Sequence, residues 1–154
     1  MGADRSGQLF EIGDLAFALT RQLRPVLDEV FAACTPLETA VLRVLFREPG
    51  MSARAAAAAA ALPSSNFSRA LRGLEAKGYV IREPDPADAR AVRLIPTEQA
   101  RANRDRLRDA WAAALDGHVP DPSVLPVVID TLQALEQGLA ARQAGRATEE
   151  PAPL

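Results

Sequence analysis

The sequence predicts a mainly α-helical fold with one small β-hairpin, on three observations. Apolar residues recur at three- and four-residue spacing through most of the 154 residues. Two runs of strand formers, YVIRE at 79–83 and AVRLI at 91–95, flank a stretch of turn residues. Pro and Gly punctuate the chain at intervals that suit short helices. The length and a hydrophobic content of 48% fit one ordinary domain with a core and are too small for two.

The first helix is expected over about residues 9–33, where Leu9, Ile12, Leu15, Leu19, Leu23, Val26, Leu27 and Val30 share a face. Pro25 interrupts that pattern and predicts a kink or a fresh start, because it removes a donor and clashes with the preceding turn. Thr35-Pro36-Leu37-Glu38 reads as a capping box with proline at the first helical position. Leu37, Val41, Val44 and Leu45 give this second helix a buried face, and Glu48-Pro49-Gly50 ends it. Ser52 caps a short third helix made almost wholly of alanine. Leu62-Pro63-Ser64 breaks the chain, and a fourth helix runs over about 64–77 with Ser64 or Ser65 as its N-cap. Phe67, Leu71 and Leu74 line its inner face, so Asn66, Arg69 and Arg72 form an outward strip. Gly78 closes it.

The hairpin follows over about 79–95, and the loop 84–90 between its strands reads as a long projecting tip. Thr97 starts a fifth helix to about Leu115, with Ala100, Leu107, Trp111 and Leu115 apolar and Arg101, Arg104 and Arg108 facing water. Residues 117–122 break it. Ser123 caps a last helix to about Arg142, and 146–154 reads as a disordered tail.

Charge separates by segment. Residues 52–82 carry five basic groups and one acidic, net +4, while the flanking segments carry net −2 and −4. Clustered cations inside a mildly acidic chain suit a polyanion. Two short helices joined by a tight turn, the second offering Ser, Asn and Arg near its N-terminus, are what a helix-turn-helix requires. Asn66, Arg69 and Arg72, with Ser64, Ser65 and Ser68, would enter a DNA major groove, where Asn and Arg make bidentate bonds to adenine and guanine. Arg90 in the hairpin loop would reach a minor groove. Asp88 either aims that guanidinium or pairs with it as an ordinary surface ion pair.

The order of elements from Thr35 to Ala100 resembles the MarR family of bacterial winged-helix regulators. The run LEAKGYVIREPDPADARAVRLIPTEQA is similar to that family's helix end, glycine, strand, Asp-rich wing, strand and Leu-Thr signature. Ala89 stands where the family commonly has a basic residue, and Pro96 and Ala100 replace its usual Leu and Gly. The resemblance implies a winged helix-turn-helix at 35–96, an N-terminal dimerisation helix at 1–34 and C-terminal dimerisation helices at 97–145. It also implies a cytoplasmic homodimer that binds a pseudo-palindromic duplex, most often as a repressor, and a small, often aromatic and anionic effector. Phe17, Arg24 and Trp111 are the residues placed at such a pocket.

No catalytic pattern is present, neither Gly-x-Ser-x-Gly nor HExxH nor a Gly-rich phosphate loop, and His118 is the single histidine. One histidine and one cysteine cannot fill a zinc site, so neither metal nor cofactor is expected. The longest apolar run falls far short of the roughly 20 residues of a membrane span, and MGADRSGQLFEIGDL has no basic-then-apolar leader pattern. Two alternatives stand beside the regulator reading: a winged-helix module that binds protein, and a redox-responsive regulator using Cys34.

Overall fold

The computed structural model describes residues 4–31 and 34–149, with side chains described to residue 143 except that of residue 89. In chain order it has α1 (Arg5–Val30), α2 (Pro36–Arg47), α3 (Ala53–Ala59), α4 (Ser64–Ala76), β1 (Val80–Asp85), β2 (Asp88–Pro96), α5 (Glu98–Leu115), a 3-10 turn (Pro122–Val124) and α6 (Leu125–Glu149). Among the described residues the fold is six helices with a two-stranded antiparallel hairpin, mainly helical as the sequence predicts.

α1 runs unbroken through Pro25, which begins no new helix. Its early turns lie outside the core and only its end is buried, at Leu27 and Val30, with Phe31 just beyond. Its packing partner is α5. α2 begins on the predicted capping box: Glu38 N–H donates to Thr35 Oγ1 at 3.2 Å and Thr35 N–H donates to Glu38 Oε2 at 2.7 Å. Its buried face is Glu38, Val41, Leu42 and Leu45, turned slightly from the expected one, with Leu37 and Val44 at its margin. In α3 only Ala56 is fully enclosed. The turn into α4 puts Ala61 at φ 52, a left-handed conformation that glycine adopts more cheaply.

The core gathers Val41 and Leu45, Phe67, Leu71 and Leu74, Val80 and Leu94. Phe31 and Tyr79 meet edge to face at 5.4 Å between centroids, tying the end of α1 to the start of the hairpin. Beyond the hairpin pair, Gly50 N–H donates to Leu94 O and Leu94 N–H to Met51 O, both at 2.9 Å, so residues 50–51 add a minimal third strand on the far edge of β2. Gly50 sits at φ +90, and a side chain there would collide with the Arg93 guanidinium, so the position requires glycine.

Three expectations change at the ends of elements. Ser123 does not cap the last helix. Its N–H instead donates to Asp121 Oδ1 at 2.9 Å, and a short 3-10 turn precedes α6. Helix α6 continues to Glu149, so residues 146–149 are helical where a disordered tail is expected, and 150–154 lie outside the described residues. Among the described residues no helix is long and apolar enough to cross a membrane.

Candidate nucleic-acid interface

α4 sorts its side chains by periodicity. Phe67, Ala70, Leu71 and Leu74 are buried, while Ser64, Ser65, Ser68, Arg69 and Arg72 are exposed and Asn66 is half-buried. Neither Ser64 nor Ser65 is the N-cap: both are already helical, and Pro63 occupies the cap position with no side-chain cap bond. The first-turn N–H groups of α4 therefore lack a side-chain acceptor and point outward at the positive end of the helix dipole, an arrangement suited to phosphate. Arg24, Arg43, Arg47, Arg82 and Arg108 all engage carboxylates. Arg69, Arg72 and Arg90 form no ion pair among the described residues.

The hairpin is placed against α4 by an ion pair, Arg82 Nε to Glu75 Oε1 at 2.5 Å. Its tip is not the long loop the sequence suggests. The strands run on through Asp85 and from Asp88, leaving only Pro86 and Ala87 between them. The irregularity lies in the ladder: Pro84 faces Val92 but Asp85 faces Asp88, so positions 89–91 of β2 bulge out without partners. Arg90 is on that bulge and exposed. Asp88 Oδ1 accepts the backbone N–H of Arg90 at 2.9 Å, and the carboxylate makes no ion pair with the guanidinium. Asp88 thus shapes the bulge instead of neutralising Arg90.

α4 is anchored from behind by a buried charge. Glu38 Oε2 accepts from Lys77 Nζ at 2.6 Å, with only 6% of the glutamate side chain exposed. Burial pushes its carboxyl upward, but the Lys77 bond and the Thr35 N–H outweigh this and hold it below the usual carboxylate range. Gly73 of α4 lies against this carboxylate, and a β-carbon there would collide with Glu38 Oε1.

A cavity of about 470 Å³ opens between α1, α2 and α5, bounded by Leu27, Phe31, Leu42, Phe46, Leu107 and Trp111, with Thr39, Arg43, Arg47, Arg104 and Arg108 on its walls. Trp111 is in the lining as expected. Phe17 and Arg24 are not. Phe17 is 80% exposed on the outer face of α1, and Arg24 pairs with Asp28 and donates to Cys34 O at 2.6 Å. Arg104 and Arg108 are exposed, as expected, and also edge the cavity, where Arg104 stacks over the Phe46 ring at 4.9 Å. Sequence reasoning missed all four cavity arginines, which at their helical positions resemble ordinary solvated residues. Among the described residues no group of three or more His, Cys, Asp or Glu could hold a metal ion.

Cys34 is 1% exposed, and burial first, then the Glu38 carboxylate, raise its thiol above the ordinary value. A peroxide sensor needs the opposite, an accessible thiolate. Cys34→Ser is therefore expected to leave DNA affinity unchanged with and without peroxide, as measured by gel shift. Release of the wild type alone by peroxide would establish the redox reading.

The MarR family model matches residues 35–91, from the α2 capping box to the β2 bulge. Over that segment the chain is similar to the MarR family. No curated protein sequence matches the chain. Among solved structures, a MarR-like transcriptional regulator from Thermotoga maritima superposes with a TM-score of 0.63 at 20% identity, covering 90% of this chain and 99% of that one. A MarR transcriptional regulator from Methanosarcina mazei gives 0.62 at 22% identity, over 83% and 96%. A MarR-family regulator from Rhodococcus sp. gives 0.58 at 23%, over 87% and 96%. At these identities the likeness concerns the fold, and it extends past the matched segment into the flanking helices. All three of these solved proteins are named transcriptional regulators.

Proposed function

We propose that this protein is a cytoplasmic, ligand-responsive repressor that binds a pseudo-palindromic operator as a homodimer. The observation that carries the reading is the exposed strip of α4, in which Arg69 and Arg72, without carboxylate partners among the described residues, lie inside the one basic segment of the chain. Asn66, Arg69 and Arg72 contact base edges, Ser64, Ser65 and Ser68 with the helix N-terminus hold phosphate, and Arg90 enters the flanking minor groove. Residues 1–34 and 97–145 supply the dimer contacts, and an apolar anion in the cavity resets the spacing of the two α4 helices. Selection of bound duplexes from genomic fragments tests the reading. A recurrent two-fold motif with half-sites about one helical turn apart is expected, and salt-insensitive binding without a motif would favour a protein-interaction module.

Arg69→Ala is expected to cost about 1–3 kcal/mol of operator affinity and to relax preference at one base pair per half-site. Competition among single-base variants checks this, and equal weakening on every sequence would make Arg69 a phosphate contact. Arg90→Ala is expected to lower affinity and to reduce the salt slope by about 1 per subunit, more so on sites with narrow A/T-rich flanks. An unchanged slope across a salt series would mean that the hairpin does not touch DNA.

A further inference from the structure

The cavity wall that faces α6 is an ion pair. Arg43 grips Glu136 of α6 in a two-point fork, Nη1 to Oε1 at 2.8 Å and Nη2 to Oε2 at 2.8 Å, and Arg47 adds a third bond at 3.1 Å. Arg43 and Arg47 also border a second, smaller hollow on the α6 side, of about 230 Å³, with Glu136, Leu139 and Ala140. The two arginines therefore form the partition between the cavity and α6. The remaining cations at the cavity are engaged otherwise: Arg104 lies on Phe46, and Arg108 holds Asp105 and Asp109. Among the described residues no acidic one lines the cavity, and the carboxylate on Arg43 and Arg47, that of Glu136, comes from outside it.

We infer that Glu136 is a built-in competitor for the anionic group of whatever ligand occupies the cavity, and that such a ligand releases α6 from α2 by taking Arg43 and Arg47 from it. This rests on the proposed effector cavity but is separable from it. The pair is suited to exchange because all three side chains are substantially exposed, at 56% for Arg43, 49% for Arg47 and 36% for Glu136. Exposed ion pairs contribute little net stability, so a carboxylate carried on an apolar body that fills the cavity can displace one. A neutral ligand of the same shape gains the apolar contacts without opening the pair. Occupancy by an anion, and not occupancy alone, is then what α6 senses.

Calorimetric titration of the full chain with 2-naphthoate and with its neutral analogue 2-naphthalenemethanol tests this, in the wild type and in Glu136→Gln. The substitution is expected to tighten naphthoate binding about 3- to 10-fold, the loss of a competing surface charge, and to leave the alcohol unchanged. Hydrogen exchange over residues 132–143 is expected to rise in the wild type with naphthoate but not with the alcohol, and to be raised already in unliganded Glu136→Gln. Equal naphthoate affinity in the two proteins would overturn the competitor role while leaving the effector cavity standing. No binding of either compound to either protein would overturn both.

Discussion

Glutamates in place of Leu15 and Leu19 are expected to convert the protein to a monomer and to remove specific operator binding. The reason lies in how α1 is used. Only its last turns enter the core, at Leu27 and Val30, while Leu9, Phe10, Leu15, Phe17 and Leu19 are 50%, 75%, 54%, 80% and 49% exposed. α6 repeats the pattern with Val127, Val128, Ile129, Leu132 and Leu139 all exposed. Apolar faces left open at both ends suit burial in a partner, and in the proposed homodimer a second copy supplies the same two faces in return. Two half-sites held by one dimer bind about 10²- to 10⁴-fold more tightly than one, and that advantage goes with the interface. Deleting the helix would be a poorer test, since it also strips Leu27, Val30 and Phe31 from the core. Sedimentation analysis with a gel shift on the selected operator reads both effects. A variant that stays dimeric would place the interface elsewhere.

Much of this architecture was legible because local chemistry and burial agree. The Thr35–Glu38 capping box, the Thr97 cap and the two faces of α4 each depend on neighbours within a turn, and each appears where the spacing puts it. The hairpin tip misled because proline and aspartate disfavour strands, yet pairing with the opposite strand overrides that preference. The α4 cap misled for a related reason: a serine is the usual N-cap, but here the helix already starts at Ser64, with Pro63 in the cap position. Long-range roles left no local trace. Arg43, Arg47 and Arg104 have ordinary helical surroundings, and only the placing of α2 across a cavity from α5 and beside Glu136 of α6 makes them the walls of that cavity. Glu38 is the sharpest instance, since its capping role is written three residues away and its ion pair lies 39 residues away, at Lys77.

That double role makes Glu38 a costly position to substitute. Glu38→Ala removes the carboxylate shared by the α2 cap and Lys77. Breaking a buried pair costs about 3–5 kcal/mol, but Lys77 is 31% exposed and can turn to water, so about 2–3 kcal/mol is expected. The thermal midpoint should fall by about 5–10 °C. Because the folded carboxyl titrates below its unfolded value, the stabilisation is fully present above the ordinary glutamate range, near pH 4.3, and is lost as pH falls through the folded value. The wild type should therefore lose stability over that acid window, and Glu38→Ala should show a flatter limb there in denaturant titrations. Gly73→Ala separates the glutamate's position from its charge. In an ordinary helix the alanine would gain about 0.5–1 kcal/mol, but here its β-carbon meets Glu38 Oε1 and must displace the carboxylate from Lys77. A net loss is expected in the wild-type background, and a gain in Glu38→Ala, where the obstruction is gone. If Gly73→Ala stabilises both backgrounds, Glu38 does not hold the position that anchors α4.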